Sequence, residues 1–162
     1  MKVLRCVIIV AAMTLVLPAK AQNRPDQQPA VGGTLVPVYL VIGVRASGTD
    51  NSGLATSFSC TVSSGAVETI KISVLNSGGT QVIDQAINVG SPNTQTFSTN
   101  GTVLFNDLLL NAPAINPAGV ATIFASSNLV FCTAMLLDAA NASPQGITLH
   151  QVRFNSVPGT QE

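Results

Sequence analysis

Residues 54–62, LATSFSCTV, alternate between two kinds of side chain. The larger residues share one parity: Leu54, Thr56, Phe58, Cys60 and Val62. Alanine, serine and threonine occupy the other. A repeat of two residues is the period of a β-strand that buries one face. The segment therefore predicts a half-buried strand whose cysteine points into a core, and this strand limits the rest of the chain to folds that supply such a core.

The partner for this cysteine is Cys132, because Cys6 is the only other cysteine and it lies in an N-terminal leader. Cys132 falls in residues 128–137, which are apolar on both faces and so predict an interior strand. Two cysteines in an exported chain favour a structural disulfide. We therefore predict that Cys60 and Cys132 form a disulfide, which pins two strands that are distant in sequence across the core.

The first 21 residues have the pattern of a signal peptide. Lys2 and Arg5 precede an apolar run of about 12 residues, and Ala-Lys-Ala ends at Ala21. This predicts cleavage between Ala21 and Gln22. The alternative is an N-terminal membrane anchor, but a spanning helix needs roughly 20 apolar residues. We expect an extracytoplasmic protein, periplasmic or secreted, with no stable membrane span after cleavage.

The mature chain divides by composition into an arm, one domain and a tail. Residues 22–33 are polar, with two prolines and a Gly-Gly pair, and predict a flexible lead-in. Residues 34–157 are long enough and apolar enough for a single domain. Residues 158–162 are then a short C-terminal tail.

The domain predicts strands and no amphipathic helix of normal length. Beyond residues 54–62, strands are predicted at 35–44, 67–75, 80–89, 94–99, 102–110, 120–125, 128–137 and 147–154. Residues 76–79, NSGG, predict a hairpin turn, and residues 111–119, with two prolines, predict a loop. A shift of the apolar phase predicts a β-bulge near His150. Seven to nine short strands indicate an all-β antiparallel sandwich, with a closed barrel as the alternative.

Two strands bridged by cysteines, one early and one late, make residues 35–155 resemble an immunoglobulin-like sandwich. The segment 55–65, ATSFSCTVSSG, is also similar to small exported bacterial β-sandwich proteins that carry ATSF-x-C-T followed by Ser-Gly. The resemblance implies an exported sandwich with one disulfide. It implies no activity, because that family has none assigned.

Little in the sequence points to catalysis or to a cofactor. His150 is the only histidine, whereas a blue-copper site needs two histidines and a cysteine, and no G-x-S-x-G or phosphate-loop motif is present. The acidic residues are scattered rather than paired. We expect no enzyme activity, no metal and no cofactor. Removal of the leader leaves four basic and seven acidic residues, which gives no basic surface for nucleic acid.

Two function classes remain open. The first is a structural or interaction module for surface, adhesion or envelope assembly, and the second is a sandwich that binds a small ligand or glycan between the loops 111–119 and 138–146. For the first class, residues 35–44 predict an edge strand because they begin after a flexible arm; the alternative is a strand buried between neighbours within one monomer. Tyr39, Val41 and Val44 mark the predicted interaction edge. Sequons at Asn100 and Asn141 would be glycan acceptors in a eukaryotic secretory pathway.

Overall fold

The computed structural model describes residues 34–154, which form ten strands. These are β1 (Val36–Ala46), β2 (Leu54–Val62), β3 (Glu68–Leu75), β4 (Gln81–Val89), β5 (Thr94–Ser98), β6 (Leu108–Leu109), β7 (Ile115–Ala125), β8 (Val130–Asp138), β9 (Ile147–Thr148) and β10 (Gln151–Arg153). The predicted signal peptide, its cleavage site, the lead-in, the tail and the end of the predicted domain lie outside the described residues.

The strands form two five-stranded sheets. The first sheet has the order β10-β1-β7-β3-β4, and the second has the order β6-β5-β2-β8-β9. All pairs are antiparallel except β5 with β6. The predicted all-β sandwich is confirmed, and the alternative of a closed barrel is wrong because each sheet ends in two separate edges.

The core between the sheets follows directly from the alternating sequence of the strands. In β3, Ile70, Ile72 and Val74 are fully buried, while the residues between them lie on the partly exposed outer face. Phe58 of β2 and Phe97 of β5 are paired in the second sheet, and their buried side chains lie side by side and fill the other side of the core. Because the side-chain period of a strand is two, this pattern fixes which face of each sheet is buried.

The predicted disulfide between Cys60 and Cys132 is confirmed, but its place in the fold differs from the prediction. The two cysteines are directly paired on β2 and β8, neighbouring strands of the second sheet, with 4.1 Å between their Cα atoms. The bridge therefore joins two strands within one sheet and does not cross the core. In immunoglobulin domains the conserved disulfide joins the two sheets instead.

The prediction that the first strand lies at a sheet edge is wrong, and the alternative of a strand buried between neighbours is confirmed. β1 lies between β7 and β10, and Tyr39 and Val41 pair with β10 residues. Tyr39, Val41 and Val44 are all buried, so these three residues belong to the core rather than to an interaction edge. The apolar character of β1 reflects neighbours on both sides, and Gly43, with a φ of 92°, lies where the pairing with β7 is interrupted by a bulge.

Residues 115–119, predicted as part of a loop, begin β7. The register between β1 and β7 shifts so that Val44 pairs with Gly119 and Ala46 with Ile115. Pro117 thus lies in a bulge, where its missing N–H removes no ladder hydrogen bond. The two prolines therefore did not indicate where β7 begins.

The last predicted strand, residues 147–154, is divided between the two sheets. β9 pairs with β8 in the second sheet, and β10 pairs with β1 in the first. The shift of apolar phase at His150 therefore marks a crossing between sheets and not a bulge. β8 lies between β2 and β9, so the predicted interior strand is confirmed, although Phe131 on its outer face is 44% exposed.

Two connections position strands of the sandwich: the hairpin between β3 and β4, and the loop before β6. The predicted hairpin at residues 76–79 is confirmed: Asn76 Oδ1 accepts hydrogen bonds from the backbone N–H groups of Gly78 and Thr80, and Gly79 has a φ of 77°. Of residues 102–110, only β6 is a strand. The preceding loop places Phe105 over a small apolar cluster on Ala55, Leu137 and Ala139.

Candidate functional site

The longest open edge of the described fold is β4. It pairs with β3 from Gln81 to Val89, with a shift of register at Val82, and no strand in residues 34–154 pairs with its other side. The other three edge strands, β6, β9 and β10, are only two or three residues long. Short edge strands are one way in which proteins avoid unwanted pairing, and β4, with nine residues, lacks this protection.

The hydrogen bonds of β3 decide which backbone groups of β4 are open. Thr69 N–H donates a hydrogen bond to Ser126 Oγ, and Thr69 C=O accepts one from Ser126 N–H, just after β7. The backbone groups of every second residue from Thr69 therefore point towards β7, and those of every second residue from Glu68 point towards β4. The β4 residues that pair with the β3 residues pointing towards β4 form their backbone hydrogen bonds with β3. The outward-facing residues of β4 are therefore Asp84, Ala86 and Asn88, whereas Val82 lies where the pairing with β3 shifts and packs against the core.

Few of the usual protective features are present along this edge. β4 contains no proline and no lysine, and its only charge is Asp84. Lys71 Nζ lies 3.0 Å from Asp84 Oδ1 and also 4.8 Å from the ring centre of Phe124, on the same outer face. The charge of Asp84 is thus balanced within its own sheet, and no strand of the described residues 34–154 occupies the edge.

A second feature is a cavity of about 310 Å³ at one end of the sandwich, lined by residues of β1, β2 and the start of β7. Arg45 Nη2 lies 3.4 Å from Asn116 Oδ1 at this cavity. Ile115 and Leu54 supply apolar walls. Residues of the segment 111–119 line the cavity and none of the loop 138–146 does, so this cavity does not bring together the two loops of the predicted ligand rim.

The backbone of Arg45 is fixed by hydroxyls from the second sheet. Thr56 Oγ1 accepts a hydrogen bond from Arg45 N and donates one to Arg45 O, each at 2.9 Å. Thr99 Oγ1 donates a further one to Arg45 O at 3.3 Å. Thr56 and Thr99 are fully buried, so these bonds tie the two sheets together next to the cavity.

Glu68 is the first residue of β3, and its carboxylate is buried on the inner face of that strand. Ser126 Oγ donates a hydrogen bond to Glu68 Oε2. Burial alone would raise the pKa of the Glu68 carboxyl, but hydrogen bonds from Ser126, Ser64 and Ser127 together lower that pKa below its ordinary value. The hydroxyls therefore stabilise the charged form of the Glu68 carboxyl.

The lowered pKa gives Glu68 a definite effect on acid stability. A carboxyl with a lower pKa in the folded state stabilises the fold above its unfolded pKa, and this stabilisation is lost as pH falls through the folded pKa. Glu68→Gln should therefore destabilise the protein at pH 7 and have a smaller effect at pH 3. Urea unfolding at both pH values measures the difference.

Asp107→Asn is the matched control, because burial raises the pKa of Asp107 although Thr102 donates two hydrogen bonds to it. A raised pKa stabilises the fold below the unfolded value of about 3.9, and that contribution is lost as pH rises. The two variants should change with pH in opposite directions. Equal pH dependence for both would contradict the assignment of Glu68 as a charge held by hydroxyls.

The remaining candidates do not come together as a reactive site. His150 is exposed, and its backbone C=O accepts a hydrogen bond from Ile42 N. Within residues 34–154, no group of three histidine, cysteine, aspartate or glutamate side chains could hold a metal ion. That part of the chain also contains no helix long and apolar enough to cross a membrane.

The two sequons differ in accessibility. Asn100 is 6% exposed, and its Nδ2 donates hydrogen bonds to the carbonyl oxygens of Ser47 and Leu54. Asn141 is exposed in the loop after β8, where its Oδ1 accepts a hydrogen bond from Ser143 N. Only Asn141 is open to a modifying enzyme in the folded chain.

Comparison of the chain with protein-family models, with curated proteins and with solved structures found no match. The candidate site therefore rests on geometry. Sequence reasoning missed the β4 edge, because residues 80–89 alternate like any half-buried strand and carry no local sign of lacking a neighbour.

Proposed function

We propose that this protein is a non-enzymatic, extracytoplasmic structural or interaction module, which binds another polypeptide by adding a strand to the edge of β4. The observation that carries the proposal is the length of that edge: nine residues, of which Asp84, Ala86 and Asn88 face outward with N–H and C=O groups that bond to nothing else in residues 34–154. Strand addition at such an edge gives affinity through main-chain hydrogen bonds.

Export of the protein is part of the proposal. The Cys60–Cys132 disulfide is the kind of bond that persists in oxidising compartments, and the sequence predicts a leader that ends at Ala21. The resemblance to exported bacterial sandwiches with an immunoglobulin-like arrangement supports the same location. The intact mass of the exported protein, before and after reduction, should correspond to a chain that starts at Gln22 and contains one disulfide.

The strand-addition function predicts a specific loss in the variant Ala86→Pro. The N–H of Ala86 faces outward, so proline removes a donor from the open edge and fills it with a ring without breaking a bond to β3. Immobilised mature wild-type protein should retain a polypeptide from the envelope fraction of its own cell, or a second copy of itself, and Ala86→Pro should retain neither. Mass spectrometry of the eluate makes the measurement.

Ala86→Val is the matched control for that experiment. It keeps the N–H, places a residue with high strand preference at the same position, and should bind as the wild type does. Circular dichroism checks that both variants are folded. If the wild type retains no polypeptide and does not self-associate, or if both variants bind equally well, the strand-addition function is wrong.

The cavity beside Arg45 supports a second candidate, a protein that binds a small ligand or glycan. Its walls are mostly apolar with one guanidinium, which suits a small molecule that carries a carboxylate on an apolar body. Titration of small carboxylates and oligosaccharides, followed by NMR shifts of the Arg45 and Asn116 amides, tests it. Binding that is lost in Arg45→Ala would favour this candidate over strand addition.

A further inference from the structure

The inner side of the β4 edge is only partly covered. Ile83, Gln85 and Ile87 pair with fully buried inner-face residues of β3, so their side chains lie on the inner face of the first sheet. Ile83 is buried, whereas Gln85 and Ile87 are only half-buried. A strand added beyond β4 would continue this face, and its inner side chains would lie beside these three residues.

The second sheet supplies an apolar residue on the same side of the sandwich. β4 leads directly into β5, and β6 is the edge strand beyond β5, so the edges of β4 and β6 lie on one side. Leu108 of β6 packs against the core and is half-buried. An added strand with apolar side chains beside Ile83 and Ile87 would therefore extend the core between the two sheets.

Gln85 interrupts this apolar face. Its side-chain amide is not fully buried and forms no hydrogen bond within residues 34–154. In contrast, the amide oxygen of Asn88, on the outer face of the same strand, accepts a hydrogen bond from Thr69 Oγ1 at 2.7 Å. A strand that covers Gln85 removes its amide from solvent, so the bound segment has to supply a hydrogen-bonding side chain of its own.

We infer that Gln85 determines which polypeptide the β4 edge accepts: an extended segment with apolar residues beside Ile83 and Ile87 and an uncharged polar residue beside Gln85. The inference rests on the proposed function, since it names the chemistry of the strand that is added. The pattern apolar-x-polar-x-apolar is the same in both directions, so it holds for a parallel and for an antiparallel strand. The positions x lie on the outer face, next to Asp84 and Ala86.

The central residue of the segment is uncharged because the inner face of β4 offers it no opposite charge. The only ionisable residue of β4 is Asp84, which lies on the outer face and is paired with Lys71. A charged side chain beside Gln85 would lose hydration without an ionic partner. An apolar side chain there would instead leave the amide of Gln85 without a partner, which weakens binding by about tenfold.

Two fluorescent synthetic peptides test the inference with the mature wild-type protein. Their sequences are Lys-Val-Thr-Gln-Thr-Val-Lys and Lys-Val-Thr-Val-Thr-Val-Lys, so they differ only in the central residue. Fluorescence anisotropy measures both dissociation constants. The wild type should bind the peptide with central glutamine about tenfold more tightly than the peptide with central valine.

Gln85→Met removes the amide but keeps the length of the side chain, so it should bind the peptide with central valine at least as tightly as the other. Asn88→Leu is the matched control, because it removes an amide from the outer face of the same strand. It should keep the wild-type preference. Circular dichroism checks that both variants are folded, and Gln85→Val replaces Gln85→Met if that variant does not fold.

Equal binding of the two peptides by the wild type, or the same preference in Gln85→Met as in the wild type, would overturn the inference. If the peptides nevertheless bind to the wild type and not to Ala86→Pro, the strand-addition function stands and only the role of Gln85 is wrong. Failure of both peptides to bind also overturns the inference, and retention of envelope polypeptides by the wild type and by Ala86→Pro then tests the proposed function separately.

Discussion

Replacing both Cys60 and Cys132 with alanine should lower the free energy of unfolding by about 4 kcal/mol, because the bridge closes a loop of 72 residues in the unfolded chain. Both cysteines are buried on the inner face of the second sheet, so the lost packing adds to the effect. The melting temperature should fall by about 15 °C. Denaturant unfolding of the oxidised wild type and of the double variant measures the difference.

The reduced wild type is the control for this prediction, since it loses the covalent link but keeps both sulfur atoms. It should fall between the oxidised protein and the double variant. A loss of less than about 1 kcal/mol in the double variant would contradict the prediction, and would mean that the pairing of β2 with β8 already restricts the unfolded chain.

Thr56→Val should cost about 2 kcal/mol of stability although the two side chains have nearly the same shape. The hydroxyl of Thr56 is fully buried and bonds to both N and O of Arg45 across the two sheets. Valine would leave the N–H of Arg45 without its partner, and an unpaired buried donor costs about 1 to 3 kcal/mol. Urea unfolding at pH 7 gives the value.

Thr122→Val is the matched control for Thr56→Val. Thr122 lies on the outer face of the first sheet, between Leu40 of β1 and Ser73 of β3, and is only partly buried. We expect a change within about 0.5 kcal/mol there. Equal losses at both positions would show that the effect comes from the loss of any hydroxyl, and not from the bond between the sheets.

The sequence predicted those elements that local periodicity alone determines. The strand at residues 54–62 agrees with β2 at both ends, and the hairpin between β3 and β4 lies at residues 76–79 as expected. Alternation and turn residues act over a few positions, so they can be read without knowing the rest of the fold. The cysteine pairing was predictable because residues 22–162 contain only the cysteines Cys60 and Cys132.

The position of each strand within its sheet could not be read from the sequence. β1 was predicted as an edge because it comes first, but the three residues of β10, more than a hundred positions later, cover its side. The crossing at His150 lies between two strands too short to show a period of their own. Both outcomes depend on pairing between distant parts of the chain.

The candidate site was missed for the same reason. The half-buried pattern of β4 describes the two faces of the strand, whereas the site is its edge, which depends on the absence of a further strand in residues 34–154. The prediction of an interaction edge in an exported sandwich stays a prediction, but the strand that offers this edge is β4. The cavity at Arg45 was anticipated only through the segment 111–119.

Amide hydrogen exchange of the mature protein, measured with and without its envelope fraction, tests most directly whether the edge of β4 is the binding surface. The amides of Asp84 and Ala86 face outward, while those of Ile83 and Gln85 bond to β3. The account predicts that the outward pair exchanges fast in the protein alone and becomes protected when the envelope fraction is added, while the inward pair is protected throughout. Fast exchange of Asp84 and Ala86 in both samples would contradict it.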